Sequence, residues 1–399
     1  MANFGSSGEA IMKKVLLRGP ILSRSGYGEH ARQVYSYLET RDDIDLKVQV
    51  LPWGITPWYL NADDLDGMIG RILAKSTNIQ NPSGFDVSIQ VQLPNEWDTT
   101  IAEKNIGVTA AIETTFANPA WVSPHCEKMN LVIVPSEHAK ESLVNAGTSS
   151  TPIEVVHECY YEELTKEGSS IDLGLETDFN FLTIGVLTGL TPATDRKNLF
   201  FLLKWFVEEF KDDKDVGLIV KTNRGRETSV DRKGTKFLLE KILRELNHKG
   251  TPKIYLLHGP MSRTEMNSLY KDEKVKAFVS TTRGEGFGLP HLESAASGLP
   301  IIATNWSAHK EFLDLGKWLK LDYDLVEVPS EKIDNQVFLP GMKWAQVKEE
   351  NFKDTIRKFY QKPDLPKKWA KDLSQKLLKE YSLDSAKEKY AALIGEFLL

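Results

Sequence analysis

Short apolar runs rich in β-branched residues alternate with amphipathic stretches along most of the chain. Runs that are apolar throughout predict parallel strands buried on both faces, and the amphipathic stretches predict the helices that cover such a sheet. The pattern begins at 13–19 with KKVLLRG, lapses into Gly, Ser and acidic residues around 165–178, and restarts with FNFLTIGVL. We therefore expect an α/β protein with two doubly wound, Rossmann-like units in tandem.

The same alternation predicts the domain boundaries. Residues 13–170 are expected to form an N-terminal domain and residues 171–375 a C-terminal domain. A helical pattern continues through 376–399. Residues 1–12 are interpreted as a disordered tail or a cloning remnant, because they are small and polar and precede the first strand.

Composition narrows the class of protein. The chain has 399 residues, 41% apolar content and a formal charge of -6, so no global positive field marks a nucleic-acid or membrane-surface binder. Two cysteines without C-x-x-C spacing suit a reducing compartment and argue against a zinc site. No apolar run approaches the length of a membrane span. A cytoplasmic protein without a transmembrane segment is the expectation.

One stretch, TTRGEGFGLPHLESAASG, follows the apolar run KAFVS. The turn at the carboxyl end of such a strand is where doubly wound folds bind ligands, and a helix is expected to begin near Pro290. The amino end of that helix suits a phosphate, while Gly286 and Gly288 let the backbone approach a ligand closely. Glu285 and Glu293 are both expected to face this crevice, where carboxylates accept hydrogen bonds from hydroxyl groups.

This stretch resembles the signature of the retaining glycosyltransferases of family 4, the "group 1" set with the GT-B fold, in which two Rossmann-like domains face each other across a cleft. The resemblance implies that Glu285 contacts the donor sugar and Glu293 the ribose of the nucleotide. It also implies that the segment 376–399 crosses back to the N-terminal domain. Implied contacts to the donor sugar or diphosphate fall on Gly286, Phe287, Gly288 and Leu289.

The resemblance also suggests which basic groups meet the diphosphate. Lys197, in the segment DRKN, matches the lysine that binds the diphosphate in this family. The family arginine expected shortly after Gly185 is absent, so Arg196, Lys221 and Arg283 are alternative sources of the second positive charge. The loop that begins with His258 and Gly259 is expected near the nucleotide base.

In the N-terminal domain, Gly26, Tyr27 and Gly28 superficially match a dinucleotide-binding loop. The first glycine does not follow the strand at once, and no acid ends the second strand, which argues against NAD. The family resemblance instead implies that this loop approaches the donor diphosphate across the cleft. Glu113 follows a predicted strand at a position where relatives place a donor-side or catalytic polar group.

Other polar and aromatic patterns carry less information. Three Asp-x-Asp pairs, at 43/45, 64/66 and 322/324, are interpreted as surface carboxylates, so no metal site is expected. Of the aromatic residues crowded into the loops of the N-terminal domain, one or two are expected at the acceptor site. These aromatic residues are Trp53, Trp58, Tyr59, Trp97 and Trp121.

The resulting hypothesis is a retaining, metal-independent glycosyltransferase without a cofactor. Its co-substrate would be a nucleotide sugar of UDP or GDP type, and its acceptor a hydroxyl group of a glycan, a lipid-linked molecule or a small molecule. Three alternatives stay open: a glycosyltransferase acting on modified DNA bases, a nucleotide-sugar epimerase and a non-catalytic nucleotide-sugar-binding protein. The basic run at 221–236 is the one hint of a nucleic-acid partner.

Overall fold

The structure of the chain, a computed structural model, describes residues 12–76, 82–189, 191–223 and 225–399. The tail expected over residues 1–12 therefore lies almost entirely outside the described residues. No helix in the described ranges is long and apolar enough to cross a membrane.

The first domain is a six-stranded parallel sheet with helices on its faces. Its strand order is β2-β1-β3-β4-β5-β6. The strands are β1 (Lys13–Gly19), β2 (Ile44–Val50), β3 (Phe85–Val91), β4 (Ala102–Val108), β5 (Leu131–Val134) and β6 (Ile153–Val155). The helices of this domain are α1 (Gly26–Leu38), α2 (Met68–Lys75) and α3 (Glu137–Val144).

The second domain repeats this architecture, with strand order β12-β11-β10-β7-β8-β9, all parallel. The strands are β7 (Phe179–Ile184), β8 (Val216–Thr222), β9 (Lys253–His258), β10 (Val275–Ser280), β11 (Ile301–Thr304) and β12 (Leu319–Leu321). A separate antiparallel hairpin comprises β13 (Tyr323–Glu327) and β14 (Lys343–Val347). The helices are α4 (Leu199–Glu209), α5 (Ser229–Glu245), α6 (Arg263–Lys271), α7 (Leu289–Ala296), α8 (His309–Leu313), α9 (Glu349–Gln361), α10 (Asp364–Glu380) and α11 (Leu383–Ile394).

The predicted α/β class with two doubly wound domains is confirmed. The central strands are buried on both faces, as their uninterrupted apolar sequences predict: Val15, Leu16 and Leu17 of β1 are fully buried. Helix starts follow local capping chemistry. The Ser136 hydroxyl accepts a hydrogen bond from the Ala139 N–H at 3.0 Å and caps the start of α3.

The chain crosses between the two domains twice. Cys159 packs in the core of the first domain and Tyr160 in that of the second, so the chain crosses before the boundary predicted at residue 170. At the end of the chain, α10 packs against α7 of the second domain, whereas α11 packs against α1 of the first. Because two segments cross between the cores, the domains are held together on one side and face each other across a cleft on the other.

Candidate active site

The carboxyl ends of the strands in both sheets border this interdomain cleft, which contains a cavity of about 630 Å³. Most of the residues predicted for the site line it. They are Gly26, Tyr27, Glu113, Arg196, Lys197, Lys221, Glu285, Gly286, Phe287, Gly288, Leu289 and Glu293. Four other predicted residues are not among the lining residues: Gly28, His258, Gly259 and Arg283.

Four charged side chains, linked by ion pairs, span the cleft at Glu285. Both carboxylate oxygens of Glu285 accept hydrogen bonds from Lys197 Nζ at 2.7 Å. Nη1 of Arg196 lies 3.5 Å from the same carboxylate, and Nη2 of Arg196 lies 3.0 Å from Oε1 of Glu113. Glu113 belongs to the first domain and the other three residues to the second. The predicted catalytic residues therefore form one connected group.

Electrostatics keep Glu285 and Arg196 charged, although burial lowers the pKa of Lys197. Burial alone would raise the pKa of Glu285, but Lys197 and then Arg196 outweigh it and hold that pKa well below its usual value. For Arg196, burial opposes the charged form, yet Glu113 and Glu285 keep its pKa above the usual value. Glu285 is consequently an anion at neutral pH, with two positive charges held beside it.

Close backbone approach brings the two domains together here. A Cβ at Gly284 would collide with the carbonyl oxygen of Glu113, and one at Gly286 would lie 3.0 Å from the carbonyl oxygen of Ala110. The Ser136 hydroxyl donates to the Gly286 carbonyl at 2.6 Å. The glycines of the signature thus permit contact between the domains.

Helix α7 begins at Leu289, one residue before the predicted start near Pro290. Its N-cap, Gly288, has φ of 101°, and no side chain in the described part of the chain caps the helix. Gly288, Leu289 and Pro290 at this end line the cleft; Pro290 has no N–H, and the His291 N–H donates to the Gly288 carbonyl at 2.9 Å. Such an end, with its partial positive charge, is a ready site for an anion.

At the other end of the cleft, Glu293 has a different environment. Its Oε2 accepts a hydrogen bond from the Tyr270 hydroxyl at 2.8 Å. Burial raises the pKa of Glu293 to about 8, with the charge of Glu29 acting in the same direction against Tyr270 and Arg263. Glu293 is thus a neutral acid at pH 7, while Glu285 is a carboxylate.

A second ion pair between the domains lies near Glu293. Nη2 of Arg263, at the start of α6, is 2.8 Å from Oε1 of Glu29 on α1. The other oxygen of Glu29 lies 2.8 Å from Nη2 of Arg32. Burial would raise the pKa of Glu29, but the two arginines lower it to about 2. The cleft is therefore spanned by ion pairs near both ends.

Lys221 lies near the carboxyl end of β8, which pairs with β7. Its Nζ donates to Asn223 Oδ1 at 2.5 Å and to the Gly259 carbonyl at 2.7 Å. The Gly185 N–H donates to the Lys221 carbonyl at 3.1 Å. A Cβ at Gly185 would lie 3.5 Å from Cγ of Lys197, so the two lysines flank the end of the same strand. Burial lowers the pKa of Lys221 to about 8.

The predicted glycine loop of the first domain is the first turn of α1, capped by Ser25, and it positions one aromatic pair. A Cβ at Gly28 would collide with the Ser23 carbonyl, so this glycine lets α1 pack against the preceding turn. The Tyr27 hydroxyl accepts from the Ala110 N–H at 3.0 Å, and its ring stacks on Trp53 with centroids 4.0 Å apart. The glycine loop therefore borders the Glu113 side of the cleft.

The predicted aromatic set divides among cleft, core and surface, where Trp58 is exposed. Trp53 and Tyr59 line the cleft, and the guanidinium of Arg24 lies 4.1 Å from the centre of the Tyr59 ring. Trp97 and Trp121 are instead buried in a core cluster. The sequence alone could not show which rings line the cleft and which lie in the core, because all of them occur in loop segments with similar sequence patterns.

Arg283 is held away from the cleft. Its Nη1 donates to the carbonyls of Ala193, at 2.6 Å, and Asp195, at 3.1 Å, while Nη2 donates to Gln346 Oε1 at 2.7 Å. These bonds fasten the segment before Arg196 to the turn that carries Glu285. The geometry gives Arg283 a structural position rather than one facing a ligand.

The remaining predictions concern the base loop and the basic run. His258 ends β9, and the Gly259 carbonyl binds Lys221. The run at 221–236 divides: Lys221 is buried in the cleft, while Lys233 and Lys236 are exposed on α5. Arg224 lies outside the described residues. Within the described ranges, no three His, Cys, Asp or Glu side chains are grouped so that they could hold a metal ion.

Several cleft residues were missed by the sequence reasoning. Glu29, Arg263 and Glu158 line the cleft, as does Tyr161, whose buried hydroxyl has no hydrogen-bond partner among the described residues. Arg263 follows the end of β9. Because residues beyond the carboxyl end of a strand border the cleft, this position could have identified Arg263 from the sequence. Glu158 and Tyr161 lie where the chain crosses between domains, and no local pattern marks them.

Comparisons with known proteins agree with this architecture. Residues 233–375 match the family model described as "Glycosyl transferases group 1". A search of curated protein sequences finds no significant match.

Similar solved structures cover nearly the whole chain. Sucrose-phosphate synthase from Thermosynechococcus elongatus is 12% identical, with a TM-score of 0.64 over 96% of this chain and 98% of that one. HepE of Anabaena, in complex with UDP and glucose, is 11% identical, with a TM-score of 0.63 over 96% and 100%. A structure described as "Trehalose-6-phosphate from E. coli bound with UDP-2-fluoro glucose" is 10% identical, with a TM-score of 0.58 over 96% of this chain and 99% of that one.

At these identities the solved structures establish the fold alone. The predicted resemblance is confirmed to this extent: residues 233–375 match the group 1 glycosyltransferase model, and the chain as a whole has the GT-B fold.

Proposed function

We propose that the protein is a retaining glycosyltransferase that moves a sugar from a nucleotide-sugar donor to a hydroxyl group. The observation that carries this proposal is the connected group of Lys197, Glu285, Arg196 and Glu113 in the interdomain cleft. It places a hydroxyl-accepting carboxylate directly beside cations. A nucleotide sugar needs both, because its sugar presents hydroxyl groups and its leaving group is a diphosphate.

In the proposed complex, the diphosphate lies against the amino end of α7 with Lys197 and Lys221 on either side. Negative charge grows on the leaving oxygen as the bond to the sugar breaks, and positive groups already in place lower that barrier. Lys197 would exchange its bonds to Glu285 for bonds to phosphate. Glu285 is then free to accept hydrogen bonds from the sugar. With three cations lining this part of the cleft, the proposed reaction requires no metal.

The proposed reaction breaks the bond between the anomeric carbon and the phosphate oxygen and forms a bond from that carbon to the acceptor oxygen. The acceptor proton passes to the departing phosphate oxygen on the same face, which retains the configuration. When Lys197 moves to the phosphate, Arg196 remains beside the Glu285 carboxylate, from which its Nη1 lies 3.5 Å in the structure. This arrangement supports a binding role for Glu285 rather than attack on the sugar, and it leaves the protein to orient the reactants and stabilise charge.

The acceptor is proposed to enter between Glu113 and the aromatic pair of Trp53 and Tyr27. The Trp53 ring is partly exposed in the cleft, and an aromatic face suits a sugar or another ring-shaped acceptor. Both cysteines, Cys126 and Cys159, are buried and free. This supports a reducing compartment, and we propose a cytoplasmic location.

The first test is a screen of UDP, GDP, ADP and TDP sugars by thermal shift. UDP-glucose is tested first, because two of the similar structures contain UDP or a UDP sugar. Mass spectrometry of acceptor mixtures incubated with the best donor should then reveal a product heavier by one glycosyl unit. An isomerised donor without acceptor would indicate an epimerase instead, and binding without turnover would indicate a non-catalytic protein.

Substitution of Lys197 tests the proposed chemistry. Lys197→Ala should lower kcat by about 100-fold or more, the usual effect of removing one group that stabilises developing charge. Lys320→Ala, which changes a half-exposed lysine paired with Asp314, is the matched control. A Lys197→Ala enzyme with the wild-type rate would rule out this assignment.

A further inference from the structure

The β13–β14 hairpin and its connecting loop, residues 323–347, form an arm that reaches from the second domain to the first. Its two strands pair only with each other in the described sheets. Val328, Met342 and Trp344 of the arm are buried in a cluster built mainly from the first domain. That cluster includes Ile112, on the loop that carries Glu113. The arm is therefore packed at the active site rather than on a remote surface.

One edge of β14 binds the loop of the first domain that carries Glu113, residues 109–117, here called the Glu113 loop. The Thr115 N–H donates to the Lys343 carbonyl at 3.0 Å, and the Lys343 N–H donates to the Thr115 hydroxyl at 3.1 Å. Thr115 is only two positions from Glu113. This reciprocal pair fixes the Glu113 loop against a strand of the other domain.

The same edge of β14 also binds the turn that carries Glu285, residues 281–288, here called the Glu285 loop. The Ala345 N–H donates to the Arg283 carbonyl at 2.9 Å. The Gln346 side chain accepts from Nη2 of Arg283 at 2.7 Å, and the Arg283 guanidinium lies 5.2 Å from the centre of the Trp344 ring. The arm therefore contacts both loops, two residues away from each of their carboxylates.

We infer that the arm is a positioning element of the active site: by binding both loops, it fixes Glu113 of the first domain relative to Glu285 of the second. The Glu113 loop then keeps its place beside the donor while the rest of the first domain opens and closes. The expected effect on kcat rests on the proposed function. The expected fixing of the Glu113 loop by the arm is independent of that function.

Two variants and one matched control test this inference. Thr115→Val keeps the shape of the side chain but removes the acceptor for the Lys343 N–H, and Gln346→Leu removes the acceptor for Arg283. Asn118→Ala is the control, because Asn118 Nδ2 donates to the Gln336 carbonyl at 2.9 Å and so binds the tip of the arm away from both carboxylates.

With UDP-glucose, or the best donor of the screen, Thr115→Val and Gln346→Leu should each lower kcat by about tenfold, because small displacements of reacting groups slow catalysis strongly. The Kd for UDP should stay within twofold of the wild-type value. Asn118→Ala should change neither quantity. An equal loss of kcat in Asn118→Ala, or no loss in Thr115→Val, would overturn the inference.

A double-mutant cycle separates positioning from general damage. If the arm acts through Glu113, then Thr115→Val should lower kcat no further in a Glu113→Gln background. Fully multiplicative losses in the double variant would contradict the inference, because they would show that Thr115 acts independently of Glu113.

Hydrogen exchange without substrate provides a readout that does not depend on catalysis. Amides of residues 109–117 should exchange faster in Thr115→Val and Gln346→Leu than in the wild type or in Asn118→Ala. Unchanged exchange in both variants would overturn the inference. If the wild-type protein transfers no sugar, the proposed function fails, while the exchange result still decides the role of the arm.

Discussion

At the residue scale, identical side chains in one cleft acquire different charge states from their neighbours. Glu285 is surrounded by Lys197 and Arg196, which keep its pKa low, whereas Glu293 is half-buried beside a tyrosine and the charge of Glu29, so its pKa rises to about 8. A buried carboxyl group ionises only where the surroundings compensate the lost hydration. The two signature glutamates are thus suited to different contacts with a ligand.

The pKa of Lys221 predicts a pH dependence of nucleotide binding. Because that pKa is lowered to about 8, Lys221 is charged at pH 7 and mostly neutral at pH 9. The Kd of UDP should therefore rise by about tenfold from pH 7 to pH 9, because binding at pH 9 must include protonation of the lysine.

Calorimetry over this pH range checks the prediction, with two variants as references. Lys221→Arg keeps its charge and should flatten the profile. Lys236→Met, on the exposed face of α5, should retain the wild-type profile. An unchanged pH profile in Lys221→Arg would show that another group is responsible.

The pKa of Glu293 predicts a pH-dependent stability. Between its ordinary value of 4.5 and about 8, folded Glu293 keeps a proton that the unfolded chain has lost. Its contribution to the free energy of unfolding is therefore fully present below pH 4.5 and is lost as the pH rises towards 8, by about 1.4 kcal/mol per pH unit.

Glu293→Gln removes this titration. Relative to the wild type, the variant should gain stability steadily from pH 5 to pH 8 in urea unfolding experiments. Glu141→Gln, at an exposed position on α3, is the control and should show no such trend. A constant difference between Glu293→Gln and the wild type would contradict a neutral Glu293 in the folded state.

At the element scale, capping and glycine positions decide where helices begin and how they pack. The Ser136 cap of α3 was predictable from local sequence. Helix α5 begins at Ser229, ahead of the apolar pattern, because Thr228 and Asp231 form a reciprocal capping pair. The start of α5 could have been found from that spacing, whereas the contact of Gly28 with a carbonyl required the fold.

Two glycines in the first turn of α1 should respond differently to substitution by alanine. In Gly28→Ala the new Cβ meets the Ser23 carbonyl, which should cost about 1–3 kcal/mol, as overpacking does. In Gly26→Ala the Cβ has no atom within 4 Å, and the free energy of unfolding should change by less than about 1 kcal/mol. Urea denaturation of both variants checks this, and equal losses would show that steric contact is not the cause.

At the scale of the whole molecule, the two domains meet through charges at both ends of the cleft. Glu29 with Arg263 and Glu113 with Arg196 each join an acid of the first domain to an arginine of the second. Opening the cleft would separate the Glu29–Arg263 pair, whereas the inferred role of the arm would keep Glu113 beside Arg196. A diphosphate and its sugar would bring new partners to these groups, so donor binding and domain closure are expected to be coupled.

Loss of the Glu29 pair should favour the open cleft. Glu29→Gln keeps the shape of the side chain but removes its charge, and small-angle scattering of the variant without nucleotide should give a larger radius of gyration than the wild type. Glu39→Gln is the matched control, because Glu39 pairs with Arg71 inside the first domain. A radius equal to that of the wild type would show that this pair does not hold the cleft closed.

The sequence by itself determined the two parallel sheets and the signature loop, because strand burial, helix capping and turn glycines act over a few neighbouring residues. It also identified Lys197, Glu285 and Glu293 as residues of one cleft. Only the tertiary structure decided the charge states of the two glutamates and the partners Glu29 and Arg263. It alone also placed Arg283 against the arm, and the Glu113 loop between two domains. These properties depend on desolvation and on contacts between segments far apart in the chain, which no local pattern encodes.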